Sequence, residues 1–285
     1  EAIRFGTWRL LQTDYLVIGW INDAPGGGYD LVYQLFDVFS QERLLSQITS
    51  VGPGDLRFGA HKVADAIYEK LTGVPGAFAT RIAYVSATGE GANLNYELVV
   101  ADADGFNPTT VVGSPEPLLS PAWSPDGERL AYVSFEAGNS AIYVQEVATG
   151  ARELVSSGKG INGAPAFSPD GRQMALTLSR SGNPEIYVRD LASGTTRQLT
   201  NHWAIDTEAA WSPDGKTIYF TSDRGGKPQI YAVPQEGGTA QRITREGDNN
   251  ARVTVAPDGR KLAVAHGQGN EYRIAVWDME TERLN

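Results

Sequence analysis

Cysteine is absent from the 285 residues, which excludes disulfides and thiol catalysis but leaves the compartment open. No apolar run approaches the ~18 residues that a membrane-spanning helix requires, so membrane insertion is not expected. Positive charge is also scarce. The 24 Lys and Arg against 34 Asp and Glu give a net charge of -10 and no basic patch for a nucleic-acid partner. Catalytic signatures are missing as well: there is no Gly-x-Ser-x-Gly elbow, His-Glu-x-x-His, P-loop or Gly-x-Gly-x-x-Gly fingerprint. Gly89-Glu90-Gly91 lacks the third glycine and joins two strand-like runs, so it reads as a turn. The opening Glu1-Ala2-Ile3-Arg4-Phe5 does not form a secretory signal, leaving a mature, intracellular or fragmentary chain.

What is present is a repeat. Trp123-Ser124-Pro125-Asp126-Gly127, Phe167-Ser168-Pro169-Asp170-Gly171, Trp211-Ser212-Pro213-Asp214-Gly215 and Val255-Ala256-Pro257-Asp258-Gly259 place their aspartates 44 residues apart. Proline presets φ, aspartate bonds nearby amides and glycine accepts φ > 0, so each is a strand running into a tight turn. Around each turn lie further strand-like runs. Arg81 to Ser86 matches Arg129 to Ser134 nearly residue for residue, and Met174 to Ser179, Thr217 to Ser222 and Lys261 to His266 are the later equivalents. A second strand follows in each unit and a third closes most of them; with the strand preceding each Pro-Asp-Gly that gives four per unit, which is the signature of a β-propeller blade. The first unit has no Pro-Asp-Gly strand before it, and the fifth stops at Glu282-Arg283-Leu284-Asn285 before its outer strand is finished.

Residues 1–77 stand outside the repeat. Phe5 to Gln12 reads as the end of a helix, Tyr15 to Ile21 as a buried strand, and Tyr29 to Val38 with Arg43 to Thr49 as a hairpin pair. Asp55 is placed to cap a helix whose apolar stripe is Leu56, Ala60, Val63, Ala64, Ile67 and Leu71, with Gly73 at its C-terminal end. The expected architecture is therefore mainly β: residues 1–77 as the C-terminal part of an N-terminal α/β domain, then 78–285 as an open propeller. Five blades of a probable six are expected, with the sixth blade and closing strand missing and the chain truncated at both ends.

Candidate ligand sites are few. His61 lies beside the helix stripe and His266 at the end of an inner strand, where packing outweighs ligation. His202 stands beside Trp203 in a loop, where an interaction role is credible. Asp102-Ala103-Asp104-Gly105 starts like a calcium loop but lacks the later ligands and closing glutamate, so a β-turn is favoured. Trp277-Asp278 resembles a WD dipeptide without its Gly-His partner. The more informative segments are the loops entering each inner strand: Glu116 to Ser120, Lys159 to Ala164, Asn201 to Glu208 and Gly247 to Arg252. They mix apolar groups (Leu119, Ile161, Trp203, Ile205) with short polar ones (Asn162, Asp206, Thr207, Asn250), as a protein-binding surface does. The competing reading is that such loops are simply irregular and tuck some apolar groups inward.

Glu69-Lys70-Leu71-Thr72-Gly73 followed by Gly76-Ala77-Phe78, then Arg81 to Val85, Ser120 to Gly127 and Asn162 to Phe167, resemble the TolB family of the Tol–Pal envelope system. The likeness runs from about Trp8 to the last residue. It implies a six-bladed propeller behind an α/β domain, a periplasmic location and a non-enzymatic role in outer-membrane integrity and constriction at division. Implied partners are the peptidoglycan-associated lipoprotein Pal, TolA through an N-terminal segment absent here, and colicin translocation domains. Carried over by position, the resemblance points to Ile161, Asn162, Gly163, Ala164, Thr207 and Glu208; with Leu119, Asp206 and Asn250 from the same entry loops these make the expected Pal face, and at Ile161 the family often has histidine. No cofactor or metal is implied, and calcium in the channel has no support from the sequence. The Pro-Asp-Gly repeat also occurs in propellers of prolyl-oligopeptidase-like serine peptidases, the alternative reading, which requires a hydrolase domain with a nucleophile elbow.

Overall fold

The computed structural model describes residues 3–285, Ala92 by its backbone alone; Glu1 and Ala2, part of the segment read for a leader, lie outside the described residues. The chain divides into two compact units, Glu1–Ile82 with Val100–Thr109, and Ala83–Val99 with Thr110–Asn285. No helix among the described residues is long and apolar enough to cross a membrane.

The first unit holds α1 (Phe5–Leu10), β1 (Tyr15–Asp23), β2 (Tyr29–Asp37), β3 (Arg43–Val51) and α2 (Leu56–Thr72), with the strands antiparallel in the order β1-β2-β3. Central β2 buries Leu31, Tyr33 and Leu35 on one face. Helix α2 packs on β2 and β3 and comes closest at Gly59, its one buried residue. A Cβ there would lie 2.9 Å from Val51 Cγ1 and 3.2 Å from Leu31 Cδ1, so the approach requires glycine. Gly73 ends the helix in the left-handed region at φ 73°, as its position suggests. Asp55 holds the N-cap position but makes no side-chain cap bond. On the opposite face of β2, Phe36 meets Phe5 of α1 edge-on at 5.9 Å.

Two expectations fail in this unit. The Tyr15 to Ile21 strand is not buried: Tyr15, Val17, Trp20 and Ile21 are 46–59% exposed. β1 is an edge strand, and α2 packs on β2 and β3 instead; an apolar run reports strand propensity without saying what will cover it. In the helix stripe, Leu56, Val63, Ala64 and Ile67 are half-buried, but Ala60 and Leu71 are exposed.

The repeats give β4 (Arg81–Thr88), β5 (Asn95–Asp102) and β6 (Thr109–Ser114) as a three-stranded sheet. Four four-stranded antiparallel sheets follow in succession. They are β7 (Leu118–Trp123) to β10 (Arg152–Ser156), β11 (Asn162–Phe167) to β14 (Thr196–Gln198), β15 (Asp206–Trp211) to β18 (Gln241–Arg242), and β19 (Asn249–Val255) to β22 (Arg283–Leu284). Within each sheet the strands follow chain order. The last repeat thus completes a fourth strand, of two residues only, through Trp277↔Leu284 and Asp278↔Arg283.

The β11–β14 and β15–β18 sheets are apolar on both faces because alternate residues of the second strand point to opposite neighbours. Met174, Leu176 and Leu178 join Ala131, Val133, Ile142 and Val144 of the sheet before. Ala175 faces the other way, into a core with Trp211, Ile218 and Phe220 of the sheet after. Tyr219 and Ile230 then meet Val253, Leu262, Val264 and Trp277.

The Ser-Pro-Asp-Gly turns link first to second strands and are closed by a repeated set of bonds. In the second, the Ser168 amide donates to Gln173 O (2.9 Å), Gly171 N–H to Ser168 O (2.9 Å) and the Gln173 amide to Ser168 Oγ (2.9 Å). The Ser168 hydroxyl donates to Asp170 Oδ1 at 2.6 Å, which also accepts the Arg172 amide at 3.1 Å. These donors hold the carboxyls of Asp126, Asp170 and Asp214 below the ordinary carboxylate range, the serine hydroxyl being the largest cause. Gly171, Gly215 and Gly259 all have φ near 70°, and a Cβ on each would meet the proline of the preceding turn at 3.7–3.8 Å.

That spacing is ordinary van der Waals contact, so Gly215→Ala is resisted by backbone strain and not by a clash. It should cost about 1–2 kcal/mol in urea unfolding. A depressed Asp214 stabilises the fold above its unfolded value near 4, and that stability is lost as pH falls through the folded value. Ser212→Ala should therefore raise the Asp214 pKa toward the ordinary range, as followed by carboxyl NMR titration.

Candidate functional site

The innermost strands of the four complete sheets begin earlier than the sequence suggests, inside the segments read as entry loops. Leu119, Asn162, Gly163, Ala164, Asp206, Thr207, Glu208 and Asn250 are all strand residues, and of the predicted face only Ile161 lies just outside one. The irregular look of these segments has a backbone cause. Ser120, Ala164, Glu208 and Arg252, again 44 apart, adopt positive φ of 44–56°. At each the pairing with the second strand slips, between Leu119 and Ala122, Gly163 and Ala166, Thr207 and Ala210, and Ala251 and Thr254. These are β-bulges, which bend a strand and re-aim its side chains. The four bulged residues come together around a cavity of ≈ 240 Å³ lined also by Pro121, Pro165, Ala209, Val253 and Thr254.

The structure separates the nine predicted face residues into two groups. Asn162, Asp206 and Asn250, equivalent in the repeat, are buried and brace the rim instead of presenting themselves. The Asn162 side chain accepts the Ser156 hydroxyl at 2.9 Å and donates to Gly158 O at 3.2 Å, and the backbone N–H of Asn162 donates to Ser140 Oγ at 2.9 Å. Asn250 Nδ2 donates to Gln229 Oε1 (2.8 Å) and Glu246 O (2.7 Å), which turns its Oδ1 toward His266 Nδ1 at 2.9 Å. That nitrogen therefore carries the proton, and His266 is a hydrogen-bonded buried residue. Asp206 accepts Arg224 Nη2 at 2.6 Å, while the guanidinium carbon lies 5.4 Å from the Phe220 ring centre and 5.0 Å from that of Tyr231. Sequence reasoning expected these three at the surface because short polar residues usually are; their burial follows from their place at the start of an inner strand, first in β11 and β15 and second in β19.

The second group is accessible. Leu119 and Ile161 are about half exposed, and beside them Ile205 and Trp203, the latter 77% exposed, carry the apolar character of the rim. The segment bearing Trp203 is firmly held. Asn183 Nδ2 donates to His202 O and Ala204 O, both at 2.7 Å, and the Ala204 amide donates to His202 Nδ1 at 3.1 Å. The His202 ring centre lies 5.1 Å from that of Trp203. Thr207 shares a hydrogen bond with Thr177 at 3.3 Å. Glu208 Oε2 accepts the Arg252 amide at 3.1 Å and the Thr221 hydroxyl at 3.2 Å. Beside Ile161, a cavity of ≈ 580 Å³ is lined by Lys159, Asn162, Leu178 and Arg180 among others.

Two bracing residues escaped the sequence reading. Glu185 accepts the Thr200 hydroxyl and the His202 amide, both at 2.6 Å, and Gln229 accepts the Thr244 hydroxyl at 2.8 Å. The available signal was a polar residue opening the third strand at the same 44-residue interval, followed 15 residues later by threonine.

Residues 68–285 match the family model described as the TolB beta propeller domain, and residues 1–44 match the TolB amino-terminal domain. The chain belongs to the TolB family. Curated relatives called Tol-Pal system protein TolB, from Xanthomonas oryzae pv. oryzae and Xanthomonas euvesicatoria pv. vesicatoria, are 61% identical over 162 residues. That alignment takes in 57% of this chain but 37% of each relative, so the chain spans well under half the length of the curated relatives it matches. The crystal structure of TolB from Acinetobacter baumannii superposes with a TM-score of 0.93 and 46% identity, over all of this chain and 71% of that one. The fold is thus mainly β with the TolB propeller. A puromycin hydrolase mutant superposes with a TM-score of 0.56 at 14% identity, over 96% of this chain and 45% of that one, a likeness of fold alone.

Because Asn250 is buried with three partners, Asn250→Ala should cost about 3 kcal/mol in urea unfolding, leaving Glu246 O and the His266 N–H unpaired. Thr207→Ala, at a half-buried site with one long bond, should stay within about 1 kcal/mol of the parent.

Proposed function

We propose that this chain is the scaffold portion of a Tol–Pal system component, non-enzymatic and periplasmic, that binds the lipoprotein Pal across the channel mouth of its propeller. The observation that carries the reading is the rim itself. Exposed Leu119, Ile161, Trp203 and Ile205 stand on loops and strands held by a buried polar network. Apolar anchors on a pre-organised support bind with little loss of conformational freedom. The name of the curated relatives, Tol-Pal system protein TolB, supports the same assignment. In this reading Ala164, Gly163 and Thr207 lie where a Pal segment approaches the channel, with Glu208 at its wall. TolA and colicin translocation domains are the further partners. The repeats are five blades of a six-bladed disc. The exposed Tyr272, Ile274 and Val276 on the last sheet are then the face on which a sixth blade packs.

The test is titration of purified Pal into this protein by calorimetry. Binding with Kd in the micromolar range or tighter is expected, and no heat at about 100 µM Pal rejects the reading. Ala164→Arg and Thr207→Arg should weaken binding with the circular dichroism spectrum unchanged. Trp203→Ala should cost at least about tenfold in affinity as the largest exposed anchor. If all three bind as the parent does, the face lies elsewhere.

A further inference from the structure

Two features that look unrelated in the sequence meet in the first unit. His61 projects from α2, and Asp102 and Asp104 from the turn that follows β5; one potential ligand atom of each lies within 4.8 Å of the others. All three residues belong to the same compact unit. The turn is well defined: the Asp102 amide donates to Phe106 O at 2.9 Å, Gly105 N–H to Asp102 O at 2.8 Å and the Phe106 amide to Asp104 Oδ1 at 3.1 Å. His61 Nε2 is 3.3 Å from Asp104 Oδ2. It is nonetheless shielded from solvent and has no hydrogen-bond partner. A buried ring nitrogen facing two carboxylates without an aligned bond is an unmet polar group, and a cation between the three would satisfy it.

We infer that His61, Asp102 and Asp104 form a site for a divalent transition metal of the zinc class, tying α2 to the turn after β5. The donor set decides the class. One imidazole nitrogen with two carboxylate oxygens suits zinc and its neighbours, whereas calcium prefers six or more oxygens. Ligand bonds of about 2.0–2.2 Å put neighbouring ligand atoms roughly 3.5 Å apart, so the cluster must contract by about 1 Å. Asp104 is exposed but held by Arg57 and by the Phe106 amide, and Asp102 Oδ2 accepts Asn107 Nδ2 at 3.3 Å, so a metal must displace these contacts as the cluster contracts. The competitor is Arg57, one helical turn before His61, which pairs with Asp104 and lies over Phe106 at 4.2 Å. Metal and guanidinium therefore contend for the same carboxylate.

The experiment uses the untagged chain, stripped with chelator and titrated with zinc, calcium or magnesium chloride by calorimetry. One zinc per chain with Kd below about 10 µM is expected, with no calcium or magnesium heat at the same concentration. His61→Ala and Asp102→Asn should each weaken zinc binding by about 100-fold, and Arg57→Gln should tighten it by freeing Asp104. His202→Ala should leave it unchanged. Circular dichroism of the metal-free variants separates a lost ligand from a lost fold; should His61→Ala fail to fold, Asp102→Asn against Arg57→Gln decides alone. No zinc binding at about 100 µM, or loss of binding in His202→Ala with retention in Asp102→Asn, overturns the assignment.

Discussion

The structure of the repeat unit depends on one constraint: a four-stranded sheet with apolar residues on both faces is unstable until each face meets another sheet. Leu176 and Ala175, adjacent on one strand, point into different cores shared with different neighbours. The same is true of Phe220 and Tyr219 one repeat later. Stacking in chain order is the short route to covering both faces, and it makes each unit's stability a property of its neighbours. The constant 44-residue interval keeps equivalent residues at equivalent heights in successive sheets, so these cores align. The Pro-Asp-Gly turns serve the same end. Gly171, Gly215 and Gly259, held at φ near 70°, each run beside the proline of the turn before, so the turns repeat at one spacing with room for a methyl between them.

Fixing the sheets also fixes the rim. Once the innermost strands are positioned, a polar residue at the start of three of them is beneath the surface and must find partners there. Asn162, Asn250 and the Asp206–Arg224 pair do so with different chemistry at the same place. An amide can satisfy itself with backbone carbonyls and neighbouring side chains. A carboxylate requires a cation, and Arg224 supplies one while remaining 16% exposed, which spares it full desolvation. The consequence for recognition is a division of labour. The buried polar groups hold the loops, and the exposed apolar groups above them are left to meet a partner without reorganising.

Much of this was legible. The aspartate ruler located every complete sheet, and residue-level matches such as Arg81 to Val85 with Arg129 to Val133 placed the second strands. The rim was located by counting back from the turns. What the letters did not reveal was depth. Asn162 and Asn250 look like surface residues because asparagine usually is, and Tyr15 to Ile21 looks like a core strand because its residues are apolar; both inferences fail because burial is set by what packs above, not by the residue. The bulges were hidden for a related reason: Ser, Ala, Glu and Arg carry no common signal for positive φ, and only their 44-residue spacing joins them.

Those bulges separate scaffold from site. A residue other than glycine in the left-handed region costs roughly 1 kcal/mol or more, and here the cost recurs at Ser120, Ala164, Glu208 and Arg252. Four different side chains in one strained conformation cannot owe it to local preference; the surrounding sheet imposes it. What the bulge achieves is geometric: it bends the innermost strand and turns one residue per sheet toward the central cavity. The backbone is thereby constant while the lining is free to vary, from the methyl of Ala164 to the Glu208–Arg252 pair. In that pair Glu208 accepts the amide of Arg252 itself, so one strained unit stabilises the next across the cavity wall. A lining built this way can change its chemistry at single positions without disturbing the sheets that carry it.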